Sequence, residues 1–224
     1  MLFRNVVIFG AGTMGHAIAL RFARGGHAVT LTDVDRDALD RAERSIRRLA
    51  GTQSEQLGGE APESVMARLR FAEDGFGAAA GAELVIEVIS ERVDIKRRFY
   101  EELAGVVSPS ALIASNTSST SSTRSVRPAS PVDHGALLCA ARHHTPRRNR
   151  RPSFQSRTAR PQFAACLSAL GMKPVVLKRF ARGFIVNRIS GPSIRSCSSF
   201  STRAWRTRRR WTMPFPSVWA RALP

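Results

Sequence analysis

The sequence predicts an α/β fold, a doubly wound parallel sheet in the first half, followed by the stub of a helical C-terminal domain. Short apolar runs alternate with longer segments whose apolar residues recur at three- and four-residue steps. A glycine-rich turn separates the first run from the first helical segment, and an acid closes the second run. Strand, helix and strand in that order make a βαβ unit, and repeated units build a parallel sheet.

Val6 to Phe9 reads as the first strand, and Gly10-Ala11-Gly12-Thr13-Met14-Gly15 as the turn after it. Ala17, Ile18, Leu20, Phe22 and Ala23 then line one face of a helix that Gly25-Gly26 breaks. Ala28 to Thr32 is the second strand, ending at Asp33. This is the Rossmann-type βαβ arrangement, and its glycines have separate roles. Gly10 permits the tight turn, Gly12 lets the backbone approach a pyrophosphate, and Gly15 lets helix and strand pack closely. The helix N-terminus faces the phosphates with free N–H groups and partial positive charge. Asp33 is placed to accept hydrogen bonds from the ribose hydroxyls of an adenosine and to repel a 2′-phosphate, which favours NAD over NADP. Arg36 is the kind of group that tolerates that phosphate, and Asp33 also reads as the start of a turn with Asp35 and Asp37.

Between Asp35 and Arg70 the pattern is helical, with Leu39, Ala42, Ile46 and Leu49 on one side. Its Arg41, Arg44, Arg47, Arg48 and Arg68 form a solvated face or meet an anionic substrate. Glu83 to Ile89 is a strand around Leu84, Val85 and Ile86, Arg92 to Leu103 a helix, and Ala111 to Ala114 a strand before Ser115-Asn116-Thr117-Ser118-Ser119. Cys139, Cys166 and Cys197 are far apart and lack CxxC spacing, so they read as buried or incidental thiols, and no metal is expected. No apolar run is long enough to cross a bilayer, and no signal-peptide core precedes the first strand; the expected location is cytoplasmic.

Charge divides the chain in two. Residues 1–118 carry 14 Lys or Arg and 16 Asp or Glu, net −2, whereas residues 119–224 carry 21 basic groups and a single acid, Asp133, net +20. A folded domain ordinarily mixes both signs. Nucleic-acid binding through the basic half has composition alone behind it, and neither a nucleic acid nor a membrane is an expected partner.

The motifs GAGTMG, GGHAVTLTD, ELVIEVISERVDIK and LIASNTSS, in that order over residues 4–119, resemble the NAD-binding domain of the 3-hydroxyacyl-CoA dehydrogenase family. GMKPVVLK and GFIVNRI are similar to that family's later strand and the start of its helical C-terminal domain. The resemblance implies a domain of residues 1–178, aberrant over 120–162, and a remnant of the helical domain over 179–224. It implies that Gly10, Gly12, Thr13, Met14, Gly15, Asp33, Glu91, Lys96 and Asn116 lie at the cofactor. It further implies that Ser118 contacts substrate and nicotinamide and that Asn187 sits at the catalytic centre. Unaided, Glu91 and Lys96 also read as a surface helix pair, Ser118 as a helix cap and Asn187 as a structural side chain. The implied activity is NAD-dependent oxidation of a 3-hydroxyacyl-CoA or related 3-hydroxy acid; the alternative is an inactive dinucleotide-binding remnant.

The family's chemistry needs a His-Glu pair, the His taking the hydroxyl proton as hydride leaves and the Glu orienting it. The interval that should hold the pair reads ALLCAARHHTPRRNRRPSF, in which His143 and His144 have no carboxylate after them; it reads as a disordered basic loop. A change of reading frame accounts for this. Read one base later, Ala136/Leu137 permits His and Arg148/Asn149 permits Glu twelve positions on, with Pro-Leu-Val allowed just before it. Arg179 to Arg182 likewise permits Asp-Leu-Pro-Gly. In the tail, joining the last base of each codon to the next two makes Trp211/Thr212 Asp, Met213/Pro214 Ala and Trp219/Ala220 Gly, and Ser199 to Thr212 permits the LLDEGVAD-type stretch of the family. The shifted pattern is also similar to carnitine- and gulonate-dehydrogenase relatives, whose substrates lack CoA. Truncation of the helical domain, and with it loss of the family's dimer surface, is a further expectation.

Overall fold

Five strands form one parallel sheet in the computed structural model, which describes residues 2–53, 60–116 and 159–174. The chain runs through β1 (Asn5–Phe9), α1 (Thr13–Arg24), β2 (Ala28–Thr32), α2 (Arg36–Gln53) and α3 (Pro62–Met66). It continues through β3 (Leu69–Ala72), α4 (Gly75–Ala79), β4 (Leu84–Glu87), α5 (Val93–Val106) and β5 (Leu112–Ser115), and α6 is Ala159–Ala169. The strand order is β3-β2-β1-β4-β5. Val6 pairs with Val29 on one side and Leu84 on the other, so β1 is central.

The alternation of side chains along each strand feeds two cores. Val6 and Ile8 point to one face, where they join Ile18, Phe22, Leu39 and Ile46 from α1 and α2; Val7 and Phe9 point to the other, where Phe99 and Leu103 of α5 cover them. Both faces being covered explains why the central strands are nearly continuous apolar runs. Ile8, Leu31, Leu84 and Ile86 are fully buried, and each such side chain contributes roughly 1.5–3 kcal/mol relative to exposure. Phe163, Cys166, Leu167 and Leu170 of α6 and its C-terminal end join the first core.

The expected elements up to Thr32 recur with boundaries shifted by a residue at most. The helical reading from Asp35 to Arg70 ran too far: α2 ends at Gln53, and Leu69–Ala72 is the edge strand β3. Leu69, Phe71 and Ala72 are only half-buried and Arg70 is exposed, so the strand lacks the apolar run that announces its neighbours. The single-turn helix α4 was not anticipated; Asp74 caps it, its Oδ1 accepting from the Gly77 N–H at 2.9 Å. Arg41, Arg44, Arg47 and Arg48 form a solvated face, with Arg41 paired to Asp35 and Arg47 to Glu43. Of the basic stretch 120–162, only 159–162 are described, as the first turn of α6; the strand expected in GMKPVVLK beyond Pro174 and the whole of 179–224 lie outside the described residues. Among the described residues no helix is long and apolar enough to cross a membrane.

Candidate functional site

Strands run outward from β1 to β2 and β3 on one side and to β4 and β5 on the other, so the sheet reverses order between β1 and β4. Open α/β sheets bind ligands in the crevice beyond the carboxyl ends of the strands at such a switch point. The turn Gly10 to Gly15 leaves β1 there. Gly10 has φ of 109°, a conformation that L side chains rarely adopt, and its N–H donates to the Thr32 carbonyl at 2.7 Å, tying the turn to the end of β2. A side chain at Gly10 would strike the Val88 carbonyl, and one at Gly15 would overlap the carbonyl of Gly10. At Gly12 an added Cβ meets nothing within 4 Å among the described residues, so their packing does not require a glycine there. The bare backbone faces the crevice.

α1 starts with no acid in its first turn and no side-chain hydrogen bond at its Gly12 cap. Its leading N–H groups therefore favour an anion. Thr13 is exposed on this first turn, whereas Met14 turns partly back against the core. Asp33, just beyond β2, accepts from the Ala11 N–H through Oδ2 at 2.7 Å and from the Asp35 N–H through Oδ1 at 3.0 Å. It thus braces the glycine turn and also opens the local turn with Asp35; each carboxylate oxygen retains capacity to accept a further hydrogen bond. Arg36 reaches Asp40 at 3.0 Å and Glu73 at 3.5 Å, so its charge is already shared with two carboxylates.

A cleft of about 670 Å³ opens beside these groups, lined by Gly10, Gly12, Asp33, Val34, Ile89 and Ile95 among others. Val34 is 96% exposed and Ile95 39%, leaving two apolar side chains bare at the cleft. Clefts of this size with apolar walls and a few placed polar groups are typical of cofactor sites.

On the β4 side lies a cluster that sequence reasoning did not single out. Glu87, the last residue of β4, is 0% exposed, and Lys96 of α5 is 2% exposed. Lys96 Nζ donates to Glu87 Oε1 at 2.8 Å and Oε2 at 2.9 Å. Tyr100 and Ser115 donate their hydroxyls to Oε2 at 3.0 and 2.6 Å. Lys96 is therefore not half of an exposed surface pair: it is buried on Glu87, and it also reaches the Glu91 carboxylate, 3.6 Å from Nζ, whose side chain is 43% exposed. A carboxylate inside the run LVIE, in a slot facing α5, was the available sequence signal. Asn116 follows β5 directly and its N–H donates to the Glu87 carbonyl at 2.7 Å. Ser118, Asn187, His143 and His144 lie outside the described residues.

Residues 5–131 match the model of the family described as 3-hydroxyacyl-CoA dehydrogenase, NAD binding domain. The chain is 33% identical over 194 residues to the 5-formyl-3-hydroxy-2-methylpyridine 4-carboxylate 5-dehydrogenase of Mesorhizobium japonicum, covering 84% of this chain and 62% of that protein. It is 38% identical over 118 residues to the 3-hydroxyadipyl-CoA dehydrogenase of Escherichia coli, covering 52% of this chain and 25% of that protein. Its fold superimposes on the crystal structure of (S)-3-hydroxybutyryl-CoA dehydrogenase from Ralstonia eutropha with a TM-score of 0.67 and 26% identity, over 84% of this chain and 67% of that one. The chain thus spans less than two thirds of the length of both curated relatives.

Proposed function

The chain belongs to the 3-hydroxyacyl-CoA dehydrogenase family, and from that premise we propose that it is an NAD-dependent oxidoreductase of that type, impaired as written. Its substrate is a 3-hydroxyacyl-CoA or a related 3-hydroxy acid, and its product the 3-oxo compound. The cofactor is NAD. One observation carries the fit of this chain to that group: Gly12 is bare toward the crevice, with no atom of the described residues filling the space, between two glycines that the fold itself demands.

NAD, when bound, accepts the hydride leaving the substrate carbinol. The protein's part is to bind and orient. The N–H groups at the start of α1, with Thr13 and Met14 on that turn, hold the pyrophosphate, and Asp33 accepts from the adenosine ribose and repels a 2′-phosphate. Glu91, Lys96 and Asn116 serve the nicotinamide half, and Ser118 and Asn187 position the substrate hydroxyl.

Removal of the hydroxyl proton needs a base. Residues 119–224 contain one carboxylate, Asp133, which precedes His143 and His144, so no acid follows either histidine to orient it. A shifted reading frame over 120–162 permits both members of the pair, and a shift in the tail permits the family's later pattern; this is our account of the impairment. The second reading, an inactive dinucleotide-binding remnant, has the same observation behind it. A cytoplasmic location and a small-molecule partner accompany either reading. Calorimetric titration with NAD, run beside an assay of NADH formation from a panel of 3-hydroxyacyl-CoAs and 3-hydroxy acids, separates them. Binding with measurable turnover supports the impaired enzyme, binding without turnover the remnant, and absence of binding would sink both.

A further inference from the structure

We propose that Glu87 is a positioning residue for the nicotinamide half of the site, fixing through Lys96 and Ser115 the two chain segments over which that half lies. The inference rests on the NAD reading above and concerns a residue for which that reading assigns no role.

Glu87 occupies a strand position on the α5 face, the slot in which its neighbour two residues back, Val85, packs in the second core. A carboxylate there is costly unless its acceptors are filled. They are filled from three directions. Oε1 takes the Ile89 N–H at 2.9 Å, from the loop after β4, together with Lys96; Oε2 takes Lys96 and Tyr100 from α5 and Ser115 from the end of β5. A buried ion pair is seldom more stabilising than well-packed apolar side chains of the same volume, so stability alone does not account for it. Its geometry does more. The carboxylate joins the carboxyl ends of β4 and β5 to the start of α5, beside the switch point. Its own main-chain carbonyl holds the Asn116 N–H. Lys96, held on Glu87, carries the constraint onward to the exposed Glu91. The adenosine half of a dinucleotide lies on the other side of the switch point, against β2 and Asp33, and is independent of this cluster.

The test uses the full chain with Glu87→Gln and with Glu87→Gln combined with Lys96→Met, the second removing both charges so that no buried ammonium is left without a partner. NAD and AMP affinities are measured by calorimetry and stability by thermal unfolding. Both variants should bind AMP as the unaltered chain does and NAD about tenfold more weakly, since charge-assisted hydrogen bonds that order the nicotinamide side are lost. The double variant should recover stability relative to Glu87→Gln without recovering NAD affinity. A purely structural role predicts no such split. NAD affinity within about twofold of the unaltered chain in the double variant, or equal losses for AMP and NAD, would overturn the proposal. Failure of the unaltered chain to bind NAD is a different result, overturning the cofactor reading and this inference with it.

Discussion

A methyl group added at Gly15 would overlap the Gly10 carbonyl, whereas one added at Gly12 would meet no atom of the described residues within 4 Å. The two substitutions therefore separate folding from binding. Gly15→Ala should lower the denaturation midpoint, by an overpacking cost of about 1–3 kcal/mol. Gly12→Ala should leave the midpoint in place and weaken NAD binding about tenfold, because the methyl group would stand where the proposed function has the pyrophosphate approach the backbone. A Gly12→Ala protein that binds NAD normally would show that the phosphates lie elsewhere. Asp33 bears on cofactor choice in the same way. Its carboxylate already braces Ala11, and Arg36 is engaged by Asp40 and Glu73, so a 2′-phosphate would meet negative charge with no free cation at Arg36 to offset it. NADP should bind at least about tenfold more weakly than NAD in competitive calorimetry. Equal affinities would count against the ribose role of Asp33.

At the scale of elements, β1, α1 and β2 were legible because their signals are local: apolar runs, a glycine turn between them and a glycine pair at the helix end. β3 and α4 were not. One is a half-buried edge strand, and the other is a single turn whose only announcement is the Asp74 cap. Glu87 escaped for another reason. Its burial is decided by Lys96, Tyr100 and Ser115, which the fold brings to it from beyond its own strand, and nothing within LVIE names them. α6 shows the same dependence on distant partners. Its Phe163 is buried against the first core, and Phe163→Ala should cost about 3–5 kcal/mol in urea unfolding. A near-zero cost would mean that the helix does not dock. Cys166 on the same face has its thiol pushed up to about 11 by burial, from an ordinary 9.0. The folded state therefore holds the proton more tightly than the unfolded one. This contribution to stability is complete below pH 9 and is lost as pH rises toward about 11. In a Cys139→Ser/Cys197→Ser background, stability should fall over that alkaline window, and the remaining thiol should react with a disulfide reagent only slowly until the chain is unfolded. Prompt reaction of the folded protein at neutral pH would contradict the buried placement.

For the whole molecule the decisive contrast is between a glycine turn that fits its cofactor and the proposed impairment of the chemistry. Residues 1–118, net −2, contain the described sheet and the glycine turn; residues 119–224, net +20, are where the family resemblance leads one to expect the His-Glu pair. In the proposed function Ser118 and Asn187 orient a substrate hydroxyl, and orientation alone leaves its proton without an acceptor. General-base catalysis contributes about a hundred- to ten-thousand-fold, so the chain as written should fall short of its frame-corrected counterpart by at least that factor. The comparison is NADH formation by the two proteins on the same 3-hydroxyacyl-CoA panel, with NAD affinity measured in parallel. The expected pattern is similar NAD affinity, set by residues both proteins share, and turnover confined largely to the corrected chain. Equal turnover would place the base somewhere in the chain as written, and His143 and His144 would be the first residues to replace. Loss of NAD affinity in the uncorrected chain would instead show that the basic half disturbs the cofactor site, moving the defect from proton transfer to binding.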